Sequence, residues 1–318
     1  MPAPRDRGAL IKVARMYFLD GRSQDDIARV LGTSRSNVSR MLGAARAQGI
    51  VEIRVHDQTA RSTDLEQALR ERFDLAHVRV AAFQAGTAPA AAAGDLAARW
   101  LDGALRDGQV VGLSWGASLQ AMVSSVSADR PRRVEVVPLV GGLSPAESLV
   151  AGQELVRELA GRLGATHRYL HGPALLRSGT ARDALLAEPS VNEVIDRARS
   201  ADIAMVGIGR IGIGSSSHIL DGLGLAPEER ATFLADGPVG DACCRFFDAE
   251  GRAVGGVVHD RVLAIELDDL RRIPTVIGVA TGTEKAPGVL GALRGRIVDG
   301  LVIDASLALA ILTEASAT

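Results

Sequence analysis

Apolar positions at helical spacing dominate the first fifty residues of the chain. Residues 8–20 (GALIKVARMYFLD) predict a leading helix that ends at Gly21, with Tyr17 and Phe18 in a small core. Ser23 and Asp26 have the spacing of a capping box, which opens a second helix. Ile27, Ala28, Val30 and Leu31 give that helix one apolar side, and Gly32 ends it as a C′ residue. A third helix starts at Thr33 or Ser34, with Val38, Met41, Leu42 and Ala45 on its apolar side. Arg35, Ser36, Ser39, Arg40, Gly43 and Arg46 lie on the opposite side. Gly49 then precedes the strand-like Ile50–Val55, which reads as a wing or as the lead into a linker.

Beyond a polar stretch at 56–62 the rhythm changes. Thr63–Phe73 is an amphipathic helix, and apolar strands then alternate with helical segments. Strands are expected at His77–Phe83, Gln109–Trp115, Val134–Val140, Ala165–Leu170, Asp202–Ile208, Thr275–Ala280 and Leu301–Ile303. Helices are expected at 94–106, 117–125, 147–163, 226–235, 284–294 and 305–315. Several strands are unbroken apolar runs, as in parallel sheets buried on both faces. The pattern predicts an α/β fold: a doubly wound, mostly parallel body behind a helical head. Segment 239–267 interrupts the alternation, with Asp248–Gly251 as a turn between two strands, and predicts an antiparallel excursion near one edge. The expected division is 1–55 for the head, 56–62 for a linker and 63–318 for the body.

Composition adds an asymmetry of charge. Residues 1–61 hold eleven Lys/Arg against six Asp/Glu, a balance of +5, which leaves −7 for the remainder of a chain with net charge −2. A basic head on an acidic body is the distribution of a protein whose head alone meets nucleic acid. Aromatic residues are only 3% of the chain and hydrophobic ones 47%, a globular composition. The only two cysteines, Cys243 and Cys244, are adjacent and cannot staple a fold, so a reducing compartment is expected. The N-terminal MPAPRDRG has no signal-peptide core, and the Ala-rich run near residue 90 is broken by Asp95 and Arg99; a soluble, cytoplasmic protein with no membrane partner is expected.

Two short helices around a tight glycine turn form a helix-turn-helix pattern, whose second helix enters the major groove. Ser34, Arg35, Ser36, Asn37, Ser39 and Arg40 crowd the start of that helix, where arginine reads guanine and asparagine reads adenine. Arg46 and Arg54 are placed for phosphates. The competing reading is an αα-hairpin with a solvated basic face.

In a parallel sheet, ligands sit at the carboxyl ends of the strands. The loops there are Gly112–Ser118 (with Ser114, Trp115 and Gly116), Gly141–Ser144 (with Gly142), Gly207–Gly212 (with Gly209) and Thr281–Lys285. Thr283 is expected to cap a helix from Glu284, with amides from Gly282 onward facing an anion. Lys285 is the only lysine besides Lys12 and reads as a phosphate ligand, or else as a chance surface lysine. Three motifs point elsewhere. Gly112–Gly116 matches G-x-S-x-G, with Asp241 and His259 as triad partners for Ser114, although no oxyanion-loop motif precedes the serine. Gly207–Gly212 matches the dinucleotide fingerprint but lacks the helix that should follow. His167 and His171 share one side of a strand without an evident third metal ligand, and no metal is expected.

In this order the motifs MYFLDGRSQDDIARVLGTSRSNVSRML, GIVEIRV, VGLSWG, VVPLVGG, ADIAMVGIG, PVGDACCRFFDAEG, IPTVIGVATGTEKA and LRGRIVDGLVIDASLALAIL span nearly the whole chain. In them the chain resembles the SorC family of bacterial transcriptional regulators. The resemblance implies a body similar to sugar-phosphate isomerases and deaminases that binds phosphorylated sugars or related compounds. It also implies a homotetramer or dimer of dimers, with double-stranded operator DNA as the other partner and no cofactor. Asp241 is then placed on the sugar hydroxyls and Lys285 on the phosphate. Two positions depart from the family: Thr281-Gly282 replaces Gly-Gly, and Ala286-Pro287-Gly288 follows Lys285. Proline in a first helical turn costs little, whereas Gly288 weakens a helix by about 1 kcal/mol against alanine. Some relatives hold the effector on a lysine just before the paired glycines; Val140 stands there, which excludes a Schiff base at that position. The expected function is a DNA-binding regulator of a sugar or polyol catabolic operon, switched by a phosphorylated sugar-like effector. The alternative is an active sugar-phosphate isomerase or deaminase, for which the pocket loops offer no acid–base pair beyond the solitary Asp241.

Overall fold

The computed structural model describes residues 7–51, 61–83, 86–127, 131–143 and 152–316, and the chain divides into two compact units, Met1–Thr59 and Ala60–Thr318. In the first, α1 (Arg7–Phe18), α2 (Gln24–Leu31) and α3 (Arg35–Ala47) enclose Leu10, Val13, Ile27, Val38, Met41, Leu42 and Ala45. The Asp26 amide donates to Ser23 Oγ at 3.1 Å, and Gly32, at φ 61°, closes α2 in the left-handed conformation. Ser34 caps α3 by accepting from the Asn37 amide. Two expected core residues lie outside the core. Val30 is exposed because it falls off the stripe set by Ile27, Ala28 and Leu31. Phe18, the last residue of α1, is exposed at its edge; its ring stacks edge-on against Tyr17 at 4.9 Å and lies under the Arg46 guanidinium. Of the expected wing only Ile50 and Val51 can be placed, partly buried against the head core; Arg54 and residues 56–60 of the linker lie outside the described residues.

The second unit begins with α4 (Thr63–Phe73), β1 (His77–Ala81), α5 (Pro89–Ala104), β2 (Val110–Leu113), α6 (Ala117–Ser125) and β3 (Glu135–Pro138). It continues through α7 (Gly152–Leu163), β4 (Thr166–His167), α8 (Gly179–Ala187), α9 (Pro189–Arg199), β5 (Ile203–Gly207), β6 (Gly209–Arg210), α10 (Ser215–Gly222) and α11 (Pro227–Ala235). It ends with β7 (Gly240–Ala242), β8 (Arg245–Phe247), α12 (Gly256–Asp260), α13 (Leu267–Arg272), β9 (Thr275–Ala280), α14 (Ala286–Arg294), β10 (Gly300–Asp304) and α15 (Ala305–Ser316).

Seven strands form one parallel sheet in the order β1-β10-β9-β5-β2-β3-β4. The unbroken apolar runs of β5, β9 and β10 are buried almost throughout, whereas the edge strand β4 is only two residues long. From β2 the chain winds outward to β3 and β4, then returns to β5 beside β2 and winds the other way through β9 and β10. The strand order therefore reverses between β2 and β5, and the loops leaving their carboxyl ends diverge to leave a crevice.

The antiparallel excursion exists, but not at an edge. β6 follows β5 directly and pairs with β7, which pairs with β8. The turn that joins β7 to β8 is Cys243-Cys244, not Asp248–Gly251. Ala242 pairs with Arg245, and both cysteines take positive φ, 52° and 61°, as a two-residue hairpin turn demands. Asp248–Gly251 is a second turn, leading to a single bridge between Phe247 and Ala253. Residues 179–199, given no element by the hydrophobic pattern, form α8 and α9, with Ser178 capping α8 and Pro189 opening α9. The helix expected over 147–163 is described from Gly152, and Ser144 of the Gly141–Ser144 loop lies outside the described residues.

Candidate functional site

On the head, the exposed side of α3 carries Arg35, Ser36, Ser39, Arg40, Gly43 and Arg46 in one continuous surface. Arg35 lies 3.9 Å from Asp25, with both groups largely exposed, and Arg40 Nε reaches only its own helix, at Ser36 O. Asn37 is partly buried and donates its side-chain amide to Thr33 Oγ1 at 2.9 Å, so it braces the turn before α3. The Ser23 hydroxyl bonds the Asp26 carboxyl and holds its pKa below the usual carboxylate range, which favours charge at the start of α2.

In the body, the crevice between β2 and β5 is a cavity of about 280 Å³. Three helical segments open into it or beside it. Gly116 (φ 137°) precedes α6, Gly214 (φ 56°) precedes α10, and Gly282 (φ 96°) precedes a 3₁₀ turn, Thr283–Lys285, that runs into α14. None of the three has a side-chain cap, and Gly116, Ala117 and Ser118 of the first, Gly214 of the second and Glu284 and Lys285 of the third line the crevice. The expected cap by Thr283 does not form, because the chain needs Gly282 at positive φ and tightens into a 3₁₀ turn. The Gly282 amide is also not open to a ligand: it donates to Asp304 Oδ2 at 2.8 Å. The other oxygen of Asp304 accepts the Ser306 and Leu307 amides, so one buried carboxylate fixes the cavity loop and starts α15.

The cavity lining includes apolar Trp115, Val140, Ile208 and Val279 and polar Ser114, Ser118, Asp241, Glu284, Lys285 and the two thiols. Asp241 is buried and accepts a hydrogen bond from Ser216, itself fully buried. Burial raises the Asp241 pKa; the Ser216 hydroxyl, the Lys285 charge and the Cys244 amide oppose that rise. Burial, together with the Asp241 charge, pushes Cys243 up to about 12 and Cys244 well above the usual thiol value, so both are neutral thiols and poor nucleophiles.

Of the residues expected here, Ser114, Trp115, Gly116, Ser118, Gly207, Gly209, Asp241, Thr281 and Lys285 line the cavity. Gly112, Gly141, Gly142, Gly282 and Thr283 are not among its lining residues. Gly112 is packed under Leu139 in β2; the Gly141 amide donates to Leu263 O, and that of Gly142 to Gly172 O. Gly141 serves close backbone packing, against Pro173 and Ala174. Gly288, the feature counted against α14, lies where a Cβ would strike Gly209 O and approach Gly240, so its absence of side chain lets the helix press on β6 and β7. The hairpin is held by Arg245, a buried arginine that donates to the carbonyls of His259, Val262, Ala264 and Ile265 and to Glu266. Arg245, Ser216, Glu284 and Asp304 were not singled out in the sequence. The only signal for any of them was the position of Glu284 beside Lys285.

The competing motifs do not assemble. Ser114 Oγ accepts the Gly207 amide at 3.1 Å, and no histidine among the described residues lines the cavity; His259 instead faces Glu266 at 3.4 Å. The G-x-G-x-x-G segment turns back through β6, with a bridge from Arg210 to Ile213, before α10 starts. The Tyr169 ring stands between His167 and His171, contacting both, and no group of residues suited to a metal occurs among the described residues.

Comparison with known proteins identifies the architecture. The family model described as "Putative sugar-binding domain" matches residues 57–313. The deoxyribonucleoside regulator of Bacillus subtilis is 31% identical over 307 residues, covering 96% of this chain and 97% of that protein. The sorbitol operon regulator of Klebsiella pneumoniae is 33% identical over 299 residues, covering 92% and 94%. The crystal structure of the full-length sorbitol operon regulator SorC from that organism matches with a TM-score of 0.73 at 31% identity, covering 96% of this chain and 98% of that one.

Proposed function

The chain belongs to the SorC family of sugar-binding transcriptional regulators, and on that premise we propose that a phosphorylated sugar or polyol in the cavity sets how tightly the head holds operator DNA. It is a regulator of a carbohydrate operon, not an enzyme, as are the relatives it matches. The observation that carries the effector reading is the meeting of the body's single lysine with three glycine-led helical N-termini that have no side-chain caps. A phosphate is the group that satisfies such donors best, since helix N-termini and a lysine both favour negative charge. Asp241, Glu284, Ser114 and Ser118 supply partners for hydroxyls, and Trp115, Val140 and Ile208 an apolar face for the carbon chain.

On the head, Arg35, Ser36 and Arg40 are assigned to the major groove, with Ser34 and Ser39 beside them, while Asn37, expected there too, is held by Thr33 and supports the turn instead. Arg46 and Arg54 are assigned to the phosphate backbone. A single head reads only a few base pairs, so the working form is a homo-oligomer; the family resemblance makes that a dimer of dimers. No helix among the described residues is long and apolar enough to cross a membrane, which supports a cytoplasmic location alongside the DNA. The effector acts only through its difference in affinity between the DNA-competent and DNA-incompetent arrangements; a tenfold change in operator affinity needs about 1.4 kcal/mol of it. The test is selection of a duplex from a random library by the full chain, followed by a screen of phosphorylated and unphosphorylated sugars and polyols on the complex. Operator affinity is expected to respond to phosphorylated members alone. A response to the free sugar at equal concentration contradicts the assignment of the phosphate site.

A further inference from the structure

At the opposite end of the sheet, where the strands begin, the body has a second cleft, of about 490 Å³. It lies among the first residues of β1, β5 and β9 and the segment leading into β2, so it shares no loop with the effector cavity. Its polar lining consists of His77, Arg79, Arg99, Trp100, Arg106, Gln109 and Thr275, and no acidic residue among the described residues lines it, in a body whose formal charge is negative. Arg99 is neutralised by Asp95 at 2.7 Å. Arg79 and Arg106 form no ion pair within 4 Å among the described residues, and the Glu66 carboxylate, paired with Arg61, only partly offsets the Arg79 charge. Half-buried Arg79 donates to the Val78 carbonyl alone, and the Arg106 side chain has no ion pair or hydrogen bond among the described residues. Helix carboxyl ends gather at this end of a parallel sheet, and Arg106, just past α5, complements one of them; Arg79, on a strand, has no such role.

We propose that this cleft is a second anion site, built for a small molecule carrying phosphate groups, with Arg79 and Arg106 as its principal ligands and the Trp100–His77 pair as its aromatic wall. Paired guanidinium groups match phosphate oxygens in fork geometry and retain their charge at every physiological pH. The indole N–H of Trp100 and the amide of Gln109 add neutral donors. Burial lowers the His77 pKa and the nearby Arg79 charge lowers it further against the opposing charge of Asp299, while Arg79 is lowered by burial and by Arg61 against the opposing charge of Glu66. An anion entering the cleft relieves both repulsions. Trp100 and His77 meet edge to face at 5.2 Å, a preformed surface rather than a gap between mobile side chains.

The test uses the full chain and inorganic pyrophosphate as the probe, by calorimetry at fixed ionic strength, with Arg79→Ala, Arg106→Ala and Lys285→Ala. Two classes of site are expected in the parent protein. Arg79→Ala and Arg106→Ala should each weaken one class about tenfold, the effect of losing a charge-assisted hydrogen bond, and leave the Lys285-dependent class unchanged. Arg106 is exposed, so its variant is expected to fold even where Arg79→Ala does not. Pyrophosphate binding insensitive to both arginine variants overturns the proposal. So does a shift in oligomeric state in Arg106→Ala with pyrophosphate binding intact, which would give the cleft to subunit contacts. Failure of Lys285→Ala to change anything counts against the effector cavity and leaves this site standing.

Discussion

Replacing Ser216 with alanine isolates its hydrogen bond to Asp241, a carboxylate that lines the effector cavity. Ser216 is fully buried and its hydroxyl donates to Asp241, which keeps only the Cys244 amide and the Lys285 charge in the variant. A hydrogen bond to a charged group is worth about 1.5–3 kcal/mol, so that is the stability at stake when the carboxyl is ionised. The sign follows from the direction of the Asp241 shift. Burial raises its folded pKa above the unfolded value, so its contribution is fully present below the unfolded pKa and is lost as pH rises through the folded one. The Ser216 hydroxyl limits that rise, and its removal drives the carboxyl further up and deepens the loss at neutral and alkaline pH. Urea unfolding of both proteins across a pH series is the assay. The variant should approach the parent in acid, where the carboxyl is protonated in both, and fall behind as pH increases, with unchanged m-value. A difference that is the same at every pH, or none, refutes the reasoning.

Arg35→Ala or Arg40→Ala should lower operator affinity by about 1–3 kcal/mol and relax preference at one base position, read by anisotropy on permuted duplexes. Gly116→Ala meets no neighbour within 4 Å, yet imposes a side chain at φ 137°; unfolding should register a loss of about 1–3 kcal/mol from backbone strain alone, and the effector should bind more weakly. Residues 61–318 expressed alone should remain at least dimeric by light scattering, since two heads need a common body; a clean monomer contradicts the assembly.

The periodic parts of the chain announced themselves. Val38, Met41, Leu42 and Ala45 repeat at helical spacing and are buried as that spacing demands. The unbroken runs of β5, β9 and β10 predicted a parallel sheet, and with it the location of the cavity at the strands' carboxyl ends. What periodicity does not carry is partnership across the fold. Ser216 and Asp241 are twenty-five positions apart and meet only because β6 folds back onto β7. Asp304 reaches Gly282 across the sheet, and Arg245 looks like a surface arginine until five acceptors from 259–266 surround it. Glycines misled in the other direction: Gly141 and Gly142 resemble a ligand loop, but their backbone groups are spent on Leu263, Gly172 and Ala174. The Cys243-Cys244 turn was illegible for a similar reason, because two adjacent non-glycine residues at positive φ break the usual turn chemistry.

The central claim is that a phosphate held at Lys285 controls the grip on DNA. Its most direct test is the titration of a selected operator complex with its phosphorylated effector, run in parallel on the parent chain and on Lys285→Ala. The variant should bind the operator as tightly as the parent in the absence of effector. Its response should move to a concentration about ten- to a hundredfold higher, as loss of a charged hydrogen bond of roughly 1.5–3 kcal/mol requires. Coincident midpoints for the two proteins would contradict the account.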